Sequence, residues 1–335
     1  MPDYWMISNR AISNGVPGSE QGPLTFYVAN AGANLQDFAS WQAIPADQFK
    51  SLLVLAANQF PALSQDDNEN QSHITLLVHG YNVGWTDAAK MYQSLCSALY
   101  TGLSSLGICI SFDWPSRGSV IDYLPDRAHA VACAADLANL LSELYDWMLD
   151  KQQAAIDNPA NACKAKVSLI AHSMGNYLLQ KAMASAWTRK NKPLLASLLN
   201  QLIMVAADVD NDLFQPGSED ATDGNALANL SYRITALYSG RDAVLGASAG
   251  LKHFGTRRLG RSGLAVSPPT GTDNVWNNDC SSFFPPDVTG LLIHGAYFHH
   301  EGTLALMRQL LRGIDRGVLD KSGALKGNLW PVAVT

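Results

Sequence analysis

The stretch "VSLIAHSMGNYLLQKAM" (residues 167–183) sets Ser173 between an apolar run and a second, helically spaced apolar pattern. A serine hydroxyl is a weak nucleophile unless a base takes its proton, a carboxylate orients that base, and hydrogen-bond donors receive the oxyanion formed on attack. Ser173 is therefore a candidate only if the chain supplies those groups as well. The ends of other apolar runs supply them. "ITLLVHG" ends in His79 and Gly80 and is followed by Tyr81 and Asn82; "NQLIMVAADVD" contains Asp208 and Asp210; "YRITALYSG" precedes Arg241 and Asp242; "VTGLLIHG" carries His294.

A sharp strand-to-helix turn around a nucleophile presses the residues two before and two after it against neighbouring backbone, so both must be small. Ala171 and Gly175 qualify, and "AHSMG" reads as G-x-S-x-G with its first glycine replaced by alanine. The chain order Ser173, Asp242, His294 is the serine, acid, histidine order of the α/β-hydrolase fold. On that reading the backbone N–H groups of Tyr81 and Met174 form the oxyanion hole. His294 follows its apolar run most closely, while His299 and His300, in "HGAYFHH", flank the final helix and stand as alternative bases. Asp208 is the alternative acid, with a turn or cap carboxylate as its plainer role. His79 is expected to shape the oxyanion loop, and His172 either lines the site or packs in the turn.

Groups so far apart in sequence meet only if a scaffold brings strand ends together. Short apolar runs separated by longer helical patterns are the rhythm of a mostly parallel sheet with crossover helices, whose ligand site lies at the carboxyl ends of the strands. Strands are expected at 4–8, 24–29, 74–80, 107–114, 166–171, 200–210 and 232–240, and a last short one near 288–295. Helices are expected from Asp126 to about Asp150, after Ser173, and from about Glu301 to Gly313. In the first of these, Val131, Ala134, Leu137, Leu141, Leu144 and Met148 recur at spacings of three and four, which places them on one face. In the second, Leu178, Leu179, Ala182 and Met183 fit the buried side. Residues 243–288 lose periodicity and are rich in Gly, Pro, Ser and Asn, as in a loop-rich partial lid or insertion. The expected architecture is one α/β domain over 1–335, with residues 1–70 as N-terminal strands and loops.

The 335 residues are 47% hydrophobic and 16% charged, enough apolar content for a large core. A net charge of −6 gives the whole surface no electrostatic reason to bind nucleic acid or an anionic membrane. Five widely spaced cysteines without a C-x-x-C pair point to neither a disulfide framework nor a zinc site, so no metal or other cofactor is expected. The N-terminus lacks a basic region followed by an apolar one, and no stretch reaches the length of a spanning helix, which points to a cytoplasmic protein.

The segments "LLVHGYNVGWTDAAKMY" (76–92), "SFDWPSRGSVIDYLPDR" (111–127), "SLIAHSMGNYLL" (168–179), "MVAADVDNDLF" (204–214), "ALYSGRDAVL" (236–245) and "HGAYF" (294–298) resemble a group of bacterial α/β hydrolases long catalogued as a domain of unknown function, with esterase- and lipase-like members. The tryptophan-proline-serine segment with Tyr123, Asp126 and Arg127 is the most particular of these. The resemblance implies the same three residues, Ser173, Asp242 and His294, as the triad.

The expected function is cleavage of a carboxylic ester, on a small-molecule or lipid substrate, by a Ser-His-Asp triad through an acyl-enzyme. Phospholipase, thioesterase and acyltransferase reactions on the same triad are the alternatives, and a non-catalytic binding protein with this fold is the alternative of another class. Two features bear on the substrate. Tyr81, Trp85, Trp114, Tyr123, Trp276, Phe283 and Phe284 lie near the site loops, either as an acyl pocket or as packing aromatics. "KHFGTRRLGR" (252–261) groups Lys252, Arg257, Arg258 and Arg261, either facing an acidic head group or forming a solvated face.

Overall fold

In the computed structural model, which describes residues 1–61, 72–116, 123–158, 163–189, 197–252, 255–288 and 290–327, the chain begins as a long hairpin. Strands β1 (Tyr4–Ser13) and β2 (Val16–Ala29) pair antiparallel, with Ser13 opposite Val16 across the dipeptide Asn14-Gly15. Both turn residues have positive φ, 53° and 78°, as a two-residue type I′ turn requires. Strand β3 (Gln42–Ile44) extends β2 on its outer edge.

The remaining strands run parallel: β4 (His73–Val78), β5 (Gly107–Asp113), β6 (Lys166–His172), β7 (Leu199–Val205), β8 (Ser231–Tyr238) and β9 (Val275–Asp279). The sheet order is β3-β2-β1-β5-β4-β6-β7-β8-β9, with β1 parallel to β5. Between the strands come helices α1 (Ala46–Asn58), α2 (Trp85–Leu99), α3 (Tyr123–Asp157), α4 (Gly175–Arg189) and α5 (Ala221–Leu230). The C-terminal half adds α6 (Ala243–Ala247), a π-helical turn (Ser248–Lys252), α7 (Leu259–Ser262), α8 (Gly290–Ala296), α9 (Glu301–Leu311) and α10 (Arg316–Lys321).

Because β side chains alternate between faces, the apolar strands build two cores. Leu169, Ala171 and Met204 pack with α1, α3, α4 and α5 on one face, while Ile170, Ile203 and Leu237 pack with α2, α9 and α10 on the other. Leu178, Leu179, Ala182 and Met183 of α4 are completely buried, as their spacing predicts. Each such leucine contributes roughly 1.5–3 kcal/mol. α3 is longer than expected; Ala134, Leu137 and Leu141 face the core, whereas Val131 is 47% exposed because the buried stripe runs through Ala130 and Cys133 instead. An apolar cavity of about 240 Å³ lies between α1, α3 and the sheet, bordered by Phe49, Leu53, Leu76, Leu144 and Trp147, and includes neither Ser173, Asp242 nor His294. Among the described residues no helix is long and apolar enough to cross a membrane.

Two expectations are corrected. The last strand is not at 288–295 but at Val275–Asp279, inside the stretch expected to lack regular structure, and His294 stands on helix α8. Among the described residues the strand "VWNND" pairs with β8 alone, at the sheet edge, so its Asn and Asp residues need not be apolar. The run "GLLIHGA" mimics a buried strand, but in the helix only Ile293 points inward while Leu291 and Leu292 are exposed. Residues 117–122 of the tryptophan-proline-serine segment, and His253 and Phe254 of the basic segment, lie outside the described residues.

Candidate active site

Strand β6 ends at His172 and α4 begins at Gly175, so Ser173 and Met174 form the whole turn between them. Ser173 has φ of 52°, a left-handed conformation that costs a non-glycine residue on the order of 1–3 kcal/mol. Local bonds hold it there. The Ser173 N–H donates to the Val205 carbonyl at 3.0 Å, and the Ser173 carbonyl accepts from the N–H groups of Asn176 at 3.0 Å and Asp208 at 3.2 Å. The buried Asn176 amide adds bonds to the carbonyls of Ala171 and Ser173, fastening both sides of the turn.

The small residues of the two motifs follow from close packing. A Cβ on Gly175 would stand 2.3 Å from the His79 carbonyl oxygen, and a Cβ on Gly80 would stand 2.6 Å from the Ser173 Cβ. The loop after β4 therefore lies directly against the serine turn. Tyr81 follows Gly80 in that loop, and Met174, completely buried, follows Ser173.

A continuous line of hydrogen bonds runs through Ser173, His294 and Asp242. His294 Nε2 is 2.8 Å from Ser173 Oγ, and His294 Nδ1 is 2.7 Å from Asp242 Oδ2. An ionised carboxylate only accepts, so the proton sits on Nδ1 and leaves Nε2 to accept from the serine hydroxyl. Asp242 is completely buried and caps α6: its Oδ1 accepts from the Leu245 N–H at 3.0 Å, which leaves Oδ2 to the histidine. His172 completes the surround. Burial, with His294 beside it, pushes its imidazole down to about 3, so the ring is neutral. Its Nε2–H donates to the His294 carbonyl at 2.8 Å.

The alternative residues are occupied elsewhere. Asp208 Oδ1 accepts from Arg258 Nε at 2.8 Å and from Ser248 Oγ at 3.0 Å, and its Oδ2 accepts from the Tyr123 hydroxyl at 2.7 Å. His299 is exposed, with Nδ1 3.3 Å from Ser94 Oγ. His300 caps α9, its Nδ1 accepting from the Gly302 N–H at 3.2 Å.

Three arginines support the site: Arg10, which the sequence did not single out, and Arg258 and Arg261, read there as facing a head group or solvent. Arg10 of β1, buried, pairs through Nε with both Asp113 oxygens at 2.9 Å and reaches the loop after β4, where Nη2 donates to the Val83 carbonyl at 2.9 Å. Burial works to raise the Asp113 carboxyl, but Arg10 and His79 outweigh it and hold it below its ordinary value. The Trp114 indole N–H donates to the His79 carbonyl at 2.8 Å, and the His79 Nε2 lies 3.1 Å from Asp113 Oδ1, so both backbone and ring hold the start of the same loop. The basic segment is not simply a solvated face: Arg258 is completely buried against Asp208 and Asp210, and Arg261 donates to the Asp242 carbonyl. Arg257 is exposed, and the Lys252 side chain lies outside the described residues. Of the aromatics near the site, Trp114, Tyr123, Phe283 and Phe284 are buried packing residues, and Tyr81 meets Tyr123 edge to face at 5.5 Å.

The profile of a family described as alpha/beta hydrolase of unknown function (DUF900) matches residues 57–273, more than half of the chain and short of His294. The uncharacterized protein alr1448 of Nostoc sp. is 30% identical over 132 residues, which cover 33% of this chain and 31% of that protein. The chain thus spans less than a third of the curated relative it matches. Among solved structures, lipase B of Aspergillus fumigatus aligns at 14% identity and a TM-score of 0.40, over 83% of this chain and 62% of the lipase. The acylaminoacyl peptidase of Pyrococcus horikoshii aligns at 11% identity and a TM-score of 0.30, over 88% of this chain and 46% of the peptidase.

Proposed function

The chain belongs to the α/β-hydrolase family of unknown function, and from that premise we propose that it is a serine hydrolase that cleaves carboxylic esters through an acyl-enzyme. The observation that carries this reading is the unbroken hydrogen-bonded line from Ser173 Oγ through His294 to Asp242. Ser173 Oγ attacks the ester carbonyl carbon as its proton passes to His294 Nε2. Asp242 holds the imidazole in the required tautomer and stabilises its charged form. The oxyanion is received by the backbone N–H groups of Met174 and Tyr81, each worth roughly 3 kcal/mol in sites of this kind. His294 returns the proton to the leaving alcohol, the carbon–oxygen bond breaks, and a water activated by the same imidazole releases the acid.

The close approach of Gly80 to Ser173 supports the Tyr81 assignment, because it brings the following peptide beside the nucleophile. Two of the four cations of the basic segment lend no support to a phospholipase. Arg258 and Arg261 are engaged internally, one with buried carboxylates and the other with the Asp242 backbone, and neither is free for a phosphate head group.

Hydrolysis of a chain-length series of p-nitrophenyl esters tests the reading. The wild type turns over, and Ser173→Ala and His294→Ala each lose about six orders of magnitude in kcat. Full activity in His294→Ala together with loss in His299→Ala or His300→Ala would overturn the choice of base.

A further inference from the structure

The segment that leads from β9 to His294, "SSFFPPDV" (281–288), carries two adjacent prolines and therefore lacks two backbone donors. Within the segment the Val288 N–H donates to the Pro285 carbonyl at 3.0 Å, and one side chain supplies further donors to its carbonyls. Arg241 Nη1 donates to the carbonyls of Ser281 at 3.3 Å and Phe284 at 2.8 Å. Its Nη2 donates to those of Pro285 at 3.0 Å, Pro286 at 3.2 Å and Val288 at 2.6 Å. A second fastening lies at the segment's start, where Ser281 Oγ accepts from the Gly240 N–H at 3.1 Å and donates to Asp279 Oδ1 at 2.5 Å.

Arg241 is also the residue before Asp242. Its backbone belongs to the turn that carries the acid, and its guanidinium holds the segment that delivers the base. Asp242 caps α6 and His294 rides on α8, and these helices touch: a Cβ on Gly290 would stand 3.0 Å from the Ala243 Cβ. The bond between Asp242 and His294 thus spans two short helices whose relative position the five carbonyl contacts fix.

We propose that Arg241 is a positioning residue for ester cleavage: its guanidinium clamps the His294 segment onto the Asp242 turn and sets the alignment of Asp242, His294 and Ser173. The proposal rests on the serine-hydrolase reading. A lysine cannot replace the clamp, because one ammonium nitrogen with three N–H groups lacks the planar fork that reaches five carbonyls.

The test compares wild type, Arg241→Ala and Arg241→Lys. In Arg241→Ala, kcat on a p-nitrophenyl ester falls about 10²-fold while KM changes little, as expected for misplacement of a reacting group. Arg241→Lys, which keeps the charge, falls about tenfold. Millimolar guanidinium, far below denaturing concentrations, restores part of the Arg241→Ala rate and leaves wild type unchanged. The low-field NMR resonance of the His294 Nδ1–H, present in wild type, is lost in Arg241→Ala and recovered with guanidinium. That resonance needs no turnover, and a merely structural role would not move it in the folded fraction. Wild-type kcat in both variants, or a rate loss that only follows the folded fraction with the resonance intact, would overturn the clamp. The two failures are distinguishable. A wild type that reacts with no fluorophosphonate sinks the serine-hydrolase reading, whereas a reactive wild type beside a fully active Arg241→Ala sinks the clamp alone.

Discussion

Two buried aspartates near Ser173 differ entirely in what their oxygens touch. Asp242 divides its oxygens between the α6 cap and His294, whereas both oxygens of Asp208 are taken by Arg258, Ser248 and Tyr123. Asp242→Asn therefore keeps the fold but favours the wrong imidazole tautomer, and kcat falls about 10⁴-fold. Asp208→Asn leaves the fully buried Arg258 with the Asp210 carboxylate as its counter-charge and costs about 1.5–3 kcal/mol, the value of a hydrogen bond between charged groups, read as a lower urea midpoint. Its kcat per folded molecule stays near that of wild type, and a loss equal to that of Asp242→Asn would return the acid role to Asp208. At this scale the sequence offered Ser173, Asp242 and His294 as candidates, because each ends or follows an apolar run, and the structure brings the three within hydrogen-bonding distance. The sequence did not single out Arg10, and in it Arg258 and Arg261 read as facing a head group or solvent rather than as internal supports. Arg10 meets Asp113 across 103 positions and Arg258 meets Asp208 across 50, so their burial depends on pairings that no local pattern encodes.

Among the elements, the strand-turn-helix unit around Ser173 is where local chemistry and packing agree most closely. Gly175 is required because His79 backbone occupies the space a Cβ would need, while Ala171, on the buried face of β6, carries its methyl without strain. Gly175→Ala forces α4 away from the loop after β4 and costs about 1–3 kcal/mol, lowering the urea midpoint and slowing ester cleavage together. Ala171→Gly, which restores the usual motif, costs only about 0.5–1 kcal/mol and keeps activity. An unchanged midpoint in Gly175→Ala would mean that the helix does not pack this closely. Periodicity revealed α4 and the central strands, whose burial is one-sided or complete. It failed at β9, an edge strand free to be polar, and at α8, whose leucines are exposed although they read as buried. The hairpin turn Asn14-Gly15 was legible in principle, since asparagine followed by glycine is the strongest short signal for its turn type.

For the molecule as a whole, a nine-stranded sheet sets Ser173 and Asp242 beyond the carboxyl ends of β6 and β8, and helix α8 brings His294, 121 positions after Ser173, to meet them. The meeting of the Ser173 and Asp242 turns was readable from the order of strand ends, because a parallel sheet has one such edge. The route taken by the last group was not: His294 arrives through a proline-rich segment and a short helix rather than directly from a strand. The central claim is that this convergence activates Ser173 as a nucleophile. Labelling of the purified protein with a fluorophosphonate, followed by peptide mass spectrometry, tests it most directly. The account predicts one covalent adduct, on Ser173, lost in Ser173→Ala and strongly slowed in His294→Ala. A folded wild type that forms no adduct, or one that labels equally well in Ser173→Ala, would contradict it.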